Sequence, residues 1–319
     1  MGKTTTPSAA RLKELHSRQG IRKWHGRYEA ALRATKDEAP AFSRPTQVWS
    51  PRSARYWHAM STPEADWMHI LMYHPDVAEA LDQYLLPTVS APHYLTGSPY
   101  ALGQALPEYR GTVAVADELG YLDLHPTIRT KVGSVPFPFI GDILVIMSDA
   151  GSHWPINFSI KNERVDFERP YQAGPRSRFP EKALRKVRGR HAIEEQLHLD
   201  AGTKTVKATS EDYTPEFARN LRWSHFWRVK ELTLNEAQRN YALDAFRLGI
   251  EKEVVPFSVM TQLASKKNIP VDQAKIVLAE AIFKRQLLVE METEAFLIDQ
   301  PFKMERKNPL DRFKQYFSR

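Results

Sequence analysis

Two stretches that read as buried β-strands, separated by a short polar loop, place an aspartate and a lysine where they could hold a divalent cation. Asp142 opens the apolar run 143–147, and Lys161 ends the run 156–161. Both runs have the length and composition of buried strands. A carboxylate in such a strand is costly to bury unless a partner or a metal ion compensates its charge. We therefore expect a cation site at one edge of a sheet.

Alternation along the second strand indicates which side chains face this site. Ser159 and Lys161 share one face, while Phe158 and Ile160 share the other, so the apolar pair anchors the strand and the polar pair is presented. An aspartate, a loop and then x-x-Lys on the next strand is also the pattern of PD-(D/E)xK nucleases. Here Ser159 occupies the middle acidic position of that pattern.

The composition predicts a folded, cytosolic protein of two domains. The chain has 319 residues and 42% hydrophobic content, enough for two cores. No apolar run is long enough to span a bilayer, and the first residues lack the hydrophobic centre of a secretory signal. With no cysteine and no H-E-x-x-H spacing among the 11 histidines, a metal site would be oxygen-ligated.

Positive charge is concentrated in a basic N-terminal arm, residues 1–47. The formal net charge is +7, and residues 1–44 alone contribute +6, from ten Lys/Arg and four Asp/Glu. This excess favours a polyanionic partner. The arm is either a solvated, partly disordered leader or a segment that contacts DNA, and charge alone does not choose between them.

Helical and strand patterns then alternate over residues 48–222. Ser61-Thr-Pro-Glu64 predicts a helix start, because proline is tolerated in the first turn. His74-Pro75 breaks that helix, and an apolar stripe through Val77, Leu81 and Leu85 predicts a second helical piece. The expected strands are 112–116, 124–132, 140–147, 155–161 and 203–208. An arginine- and proline-rich loop, 162–181, leads into a basic helix at 182–199.

The order of helix, strands, helix and strand indicates an α/β fold with a restriction-endonuclease-like mixed sheet flanked by helices. Residues 223–301 change to a helical pattern, with helices expected at 232–248, 258–267 and 271–286. Short apolar segments at 287–291 and 295–298 then predict a hairpin, which together with the helices suggests a winged-helix-like C-terminal domain. Residues 302–319 form a tail that mixes six basic residues with aromatic ones.

Four segments together resemble the TnsA-type endonuclease subunit of heteromeric transposases, which cuts one DNA strand at transposon ends while a separate RNase H-like transposase cuts the other. The segments are Ser61–Glu64 leading through 68–77 to Asp82-Gln83, then 125–129, 141–145 and 158–161. The similarity covers most of residues 50–220. It extends more loosely into the C-terminal helices.

The resemblance implies that Glu64, Asp142 and Lys161 are the catalytic set, together with the Ser159 position. The family usually has glutamine where this chain has Ser159, which is a departure from its pattern. The expected cofactor is Mg²⁺, with Mn²⁺ as a substitute and one or two ions. Its ligands would be Glu64, Asp142 and the backbone carbonyl of Ile160, while Lys161 would orient water or neutralise charge on the phosphate.

Each of these residues also has a structural interpretation. Ser61-x-x-Glu64 fits a capping box, in which Glu64 only satisfies backbone donors at the helix start. Asp142 after a glycine could belong to a turn, and Lys161 could be the exposed end of a strand. Their joint occurrence in the order of the family favours the catalytic interpretation.

The expected DNA surface lies beside this site, with an ordinary solvated face as the alternative. Its residues are Arg164, Arg169, Arg176, Arg178, Lys182, Arg185 and Lys186. The helix at 271–286 is too apolar to read a groove. The resemblance instead implies docking of the TnsB-type transposase and of the AAA+ regulator TnsC, and the tail is of a kind that often folds onto a partner.

Three hypotheses follow from these residues. The first is a Mg²⁺-dependent endonuclease subunit that cuts one strand of double-stranded DNA, at the 5′ side of transposon ends, within a transposase assembly. The second is a catalytically inactive DNA-binding and scaffolding subunit, suggested by Ser159. The third is a free-standing restriction or repair nuclease, which would cleave DNA without partners.

Overall fold

The computed structural model describes residues 7–20, 23–40, 43–101, 106–131, 133–169 and 180–319. The chain divides into two compact units. The first comprises Met1–Met68, Asp76–Asp212 and Arg319, and the second comprises His69–Pro75 and Tyr213–Ser318. None of the helices in the described part of the chain combines the length and the apolar character needed to cross a lipid bilayer.

A four-stranded mixed sheet, in the order β3-β6-β7-β8, is the centre of the first unit. Its strands are β3 (Val77–Leu85), β6 (Ile140–Asp149), β7 (Ser152–Lys161) and β8 (Lys204–Thr209). Two smaller antiparallel pairs accompany it, β1 (Thr46–Ser50) with β2 (Arg55–Ala59) and β4 (Thr127–Thr130) with β5 (Gly133–Pro136).

The centre of the sheet was predicted from the sequence. Strands β6 and β7 form an antiparallel hairpin that pairs Ile143 with Phe158, and helix α4 (Pro180–Asp200) then connects β7 to the parallel strand β8. Two parallel neighbouring strands require such a crossover connection, and the basic helix provides it between β7 and β8. The predictions at 140–147, 155–161, 182–199 and 203–208 are therefore confirmed.

Helices cover both faces of the sheet. On one face, Ile193 and Leu197 of α4 pack with Leu144 of β6 in a buried cluster. On the other face, Trp67 of helix α2 (Thr62–Tyr73) lies 5.5 Å from the Phe158 ring. The unit is thus a mixed α/β structure with a mixed sheet flanked by helices, as the sequence predicted at this level.

The described part of the N-terminal arm is folded onto this unit. Helix α1 (Ala9–Gln19) buries Leu15, and the guanidinium groups of Arg11 and Arg18 bind Glu38 at 3.1 and 2.7 Å. Both arginines are less than one-tenth exposed. The interpretation of the arm as a solvated leader is therefore wrong for these residues, because a local carboxylate compensates their charge and makes burial possible.

Two elements of the first unit differ from the prediction. The segment with Val77, Leu81 and Leu85 is strand β3, although its residue types favour a helix. It is buried on both faces, so it lacks the alternation that marks a strand. Conversely, 112–116 belongs to helix α3 (Thr112–Glu118), where Val115 and Ala116 join the cluster around α4. Tertiary packing overrides local propensity in both cases.

The predicted strand 124–132 is also shorter than expected. A 3₁₀ turn occupies Leu122–Leu124, and only Thr127–Thr130 pairs as β4. Val132 lies outside the described residues. Within the predicted loop 162–181, the residues before 170 include another 3₁₀ turn, Arg164–Phe167, and residues 180 and 181 already belong to α4.

The second unit is helical. Its helices are α5 (Pro215–Arg228), α6 (Glu236–Glu251), α7 (Pro256–Lys267) and α8 (Val271–Phe283), followed in the tail by the single turn α9 (Lys314–Phe317). Helices α6, α7 and α8 confirm the predictions, whereas α5 was not predicted. Helix α8 buries most of its residues and carries the core of the unit, in agreement with its apolar sequence.

The predicted hairpin at 287–298 does not form a strand ladder, and the described residues there make one isolated bridge, Val289 to Met304. The reason is the Asn220 side chain of α5. Its amide donates to the carbonyls of Met291 and Glu294 and accepts from the Phe296 N–H, at 2.7–2.9 Å. These contacts satisfy backbone groups that a hairpin would have paired across strands.

Candidate active site

Glu64 is positioned by the first turn of α2. The Ser61 hydroxyl accepts from the Glu64 N–H at 3.3 Å and donates to Glu64 Oε1 at 2.8 Å, while the Met60 N–H donates to Oε2 at 2.9 Å. Residue 61 therefore caps the helix, which is one half of the predicted capping box, while the Glu64 carboxylate accepts from the backbone of residue 60. The same contacts hold the carboxylate in one place, so capping and a role at a site are compatible.

Asp142 and Lys161 meet at the β6–β7 pair. The Ile160 N–H donates to Asp142 Oδ2 at 2.7 Å, and Lys161 Nζ lies 3.5 Å from the same oxygen. Lys161 Nζ also donates to the Ile160 carbonyl at 2.9 Å. The Asp142 carboxylate and the Ile160 carbonyl thus both contact the Lys161 ammonium group.

Electrostatics link Glu64 to this pair. Burial and the neighbouring Asp142 carboxylate raise the pKa of Glu64 to about 7, although hydrogen bonds from Met60 and Ser61 and the charge of Lys161 oppose the rise. Glu64 is 6% exposed. The structure therefore brings together the three ionisable residues singled out in the sequence.

Ser159 is buried on β7, between Phe158 and Ile160, and pairs with Lys207 of β8. Continuing the β6–β7 register beyond the Ile143–Phe158 pair puts residue 159 beside Asp142. Its hydroxyl is shorter than the amide expected from the family resemblance. Ser159 is therefore at the predicted place in the sheet, with less reach than a glutamine.

Gly141, directly before Asp142, is required by packing. A Cβ atom at this position would come 2.4 Å from Tyr84 Cζ, closer than any normal contact. The Tyr84 hydroxyl donates to Asn157 Oδ1 at 2.6 Å and lies 2.8 Å from His198 Nε2. A buried polar network thus holds the Tyr84 ring against which the strand of Asp142 packs, and sequence reasoning did not identify it.

Gln83 is a second residue that sequence reasoning left without a role. On β3 it lies between Asp82, which pairs with Ile143, and Tyr84, which pairs with Gly141. Its side-chain amide donates from Nε2 to Glu64 Oε2 at 2.9 Å. The contact could not be predicted while this segment was interpreted as a helix, because only a strand places residue 83 opposite Asp142.

The donors present fit Mg²⁺. Among the residues that the structure describes, no three His, Asp or Glu side chains are grouped so that they could hold a metal ion. Mg²⁺ commonly uses only one or two carboxylates, together with waters and substrate phosphate. Glu64, Asp142 and the Ile160 carbonyl match that donor set, and the Lys161 ammonium already lies between the last two.

The arginines predicted to bind DNA are largely paired within the chain. The pairs are Arg164 with Asp212 (2.6 Å), Arg169 with Glu163 (3.1 Å) and Arg185 with Asp123 (2.6 Å). Lys182 and Lys186 are exposed on α4, one turn apart. Arg176 and Arg178 lie outside the described residues. A DNA phosphate would have to compete with carboxylates for the three arginines.

No family model matches the chain, and no curated protein matches it. The functional interpretation therefore depends on the geometry of Glu64, Asp142 and Lys161.

Proposed function

We propose that the chain is a Mg²⁺-dependent DNA endonuclease with a restriction-endonuclease-like catalytic unit. The observation that carries the proposal is the convergence of the Asp142 carboxylate and the Ile160 carbonyl on one positive charge, next to the buried carboxylate of Glu64. A buried acid with a displaced pKa, such as Glu64, close to a cation and oxygen donors is typical of catalytic centres.

Each residue has a defined part in phosphodiester hydrolysis. Glu64, Asp142 and the Ile160 carbonyl would hold the ion, which when bound supplies charge neutralisation and a more acidic water. Lys161, 30% exposed, is able to reach a phosphate oxygen and offset the negative charge that develops there. Lys182 and Lys186 are available to contact the DNA backbone.

The TnsA-like resemblance makes the proposal more specific. The substrate would be double-stranded DNA at transposon ends, with one strand cut by this chain and the other by an RNase H-like transposase, under an AAA+ regulator. The helical second unit is the proposed winged-helix-like partner-binding part. The action on DNA would be cytoplasmic.

The test is a plasmid excision assay with the transposase partners present. Asp142→Ala and Lys161→Ala should each abolish cleavage of one strand, whereas Asp149→Ala, at the far end of β6, should leave it unchanged. If both site variants excise like the wild type, the chain is a non-catalytic scaffold, as the short Ser159 side chain would allow. Cleavage by the isolated chain would instead favour a free-standing nuclease.

A further inference from the structure

Gln83 has a backbone conformation that is unusual in the middle of a strand. Its φ angle is +49°, in the left-handed region, where residues other than glycine are uncommon. Such conformations persist only where surrounding contacts impose them, and they cluster at functional sites. The residue is 3% exposed, so the conformation is fixed inside the first unit.

The N-terminal segment imposes this conformation. Strand β3 is at the edge of the sheet, and the Gln83 carbonyl accepts from the Ala31 N–H at 2.8 Å and from Gln19 Nε2 at 3.2 Å. Gln19 Oε1 also accepts from the Leu85 N–H at 2.8 Å. Gln19 and Ala31 therefore close this part of the edge, because they satisfy polar groups that the irregular strand leaves unpaired.

The side chain of Gln83 consequently reaches α2. The Gln83 Nε2 donates to Glu64 Oε2, which also accepts from the Met60 N–H. The other carboxylate oxygen of Glu64, Oε1, accepts from the Ser61 hydroxyl. Three donors thus set the plane of the Glu64 carboxylate. A metal ligand is commonly oriented by such a second layer of hydrogen bonds, and a neutral amide does so without adding charge.

We propose that Gln83 is a positioning residue of this site, which holds the Glu64 carboxylate in the orientation needed to bind a divalent cation. The inference rests on the proposed function. Ser159 carries a hydroxyl and so supplies no amide from β7, whereas Gln83 supplies one from β3 on the opposite side of Asp142. The strained backbone is the means by which β3 turns that amide towards Glu64.

The test measures Mn²⁺ binding to the full chain by the loss of the free-ion signal in electron paramagnetic resonance. Gln83→Met keeps the length of the side chain and removes the amide, and Gln83→Gly also removes the strain. Both variants should bind Mn²⁺ about 10- to 100-fold more weakly than the wild type, which is the usual effect of removing a partner that orients a ligand. Saturating Mn²⁺ should restore cleavage by Gln83→Met.

The matched control is Ala150→Gly. Ala150 has a φ angle of +45° in the turn between β6 and β7, so this variant relieves comparable strain away from Glu64. It should bind Mn²⁺ like the wild type. Thermal unfolding of all variants reports whether a loss of affinity reflects a loss of fold.

The possible results separate the two proposals. If the wild type binds Mn²⁺ and Asp142→Ala does not, the cation site is present. Wild-type affinity in folded Gln83→Met then shows that the amide has no positioning role, and the inference fails alone. If the wild type binds no Mn²⁺ with or without DNA, the proposed function fails and the inference fails with it.

Discussion

Glu38 and Glu64 are both buried carboxylates of the first unit, and their surroundings displace their pKa values in opposite directions. Burial raises the pKa of Glu38, but hydrogen bonds from Arg18, the Arg33 backbone and Arg11 outweigh it and lower the value to about 2. For Glu64, burial and the Asp142 carboxylate raise the pKa to about 7.

The difference lies in where the compensating cation comes from. Glu38 has two arginines from α1, so its charge is neutralised within the chain and the cluster is structural. Glu64 has hydrogen-bond donors and a second carboxylate nearby, with Lys161 as the opposing charge. A cation from solution would complete the site of Glu64, whereas it has no place at Glu38.

The largest effect is expected for Glu38→Gln. This change leaves the buried guanidinium groups of Arg11 and Arg18 with only the partly exposed Glu14 carboxylate as counter-charge, and breaking a buried pair in this way costs about 3–5 kcal/mol. Urea unfolding followed by circular dichroism measures the loss. The control Glu14→Gln removes a 40% exposed partner of the same arginines and should cost less than about 1 kcal/mol. Equal losses would mean that Glu38 is not the main counter-charge.

Asp142→Asn should strongly reduce cleavage without lowering stability, in contrast to the loss of stability expected for Glu38→Gln. Cleavage should fall at least about 100-fold, equivalent to about 2.7 kcal/mol, because the proposed cation ligand loses its negative charge. The free energy of unfolding without metal should not fall, since the repulsion of Glu64 is removed as well. Strand cleavage in the excision assay and urea unfolding measure the two quantities. A variant that is destabilised as strongly as Glu38→Gln would contradict the contrast between the two regions.

The pH dependence of stability should also distinguish the two carboxylates. The folded-state pKa of Glu64 is raised, so its contribution is fully present below about pH 4.5 and is lost as the pH rises through about 7. Without metal, this loss amounts to about 2 kcal/mol between pH 5 and pH 7. For Glu38, whose pKa is lowered, stability is instead lost as the pH falls from about 4.5 towards 2.

The difference between the wild type and Glu64→Gln isolates this contribution. Urea unfolding at pH 5 and pH 7 should show a loss in the wild type that the variant lacks. Under the proposed function, added Mg²⁺ should restore wild-type stability at pH 7, because the ion would bind the folded site and not the unfolded chain. An identical pH dependence in both proteins would disprove the raised pKa.

The smallest effect is expected for Ser61→Ala, which removes the cap of α2. The cost should be about 1 kcal/mol, and cleavage should fall because the Glu64 carboxylate loses one donor. Thr214→Ala removes the cap of α5 and should cost a similar free energy without affecting cleavage. If both variants cleave normally, the cap of α2 serves stability alone.

Local patterns in the sequence were sufficient where an element is defined by its own residues. The β6–β7 hairpin, α4, β8 and helices α6, α7 and α8 were predicted because their apolar runs and breaks are clear. Asp142 and Lys161 could be singled out for the same reason, since they stand at the ends of such runs. Their catalytic roles stay predictions until cleavage is measured.

Other elements could not be predicted because distant contacts decide them. Val77, Leu81 and Leu85 follow helical spacing, yet this segment is strand β3. It pairs with β6, and its outer edge is hydrogen-bonded by Gln19 and Ala31. In the same way, Asn220 replaces the strand pairing expected for 287–298. Propensity is weaker than these interactions, which are made by residues far apart in the chain.

The sequence by itself determined the residue types of the site, namely two carboxylates, a lysine and an apolar strand pair that carries two of them. Only the tertiary structure decided that Glu64 lies beside Asp142 and that Gln83 donates to it. The physical reason is that a pKa or a ligand orientation depends on burial and on neighbours within a few ångströms, and folding brings those neighbours together from separate parts of the chain.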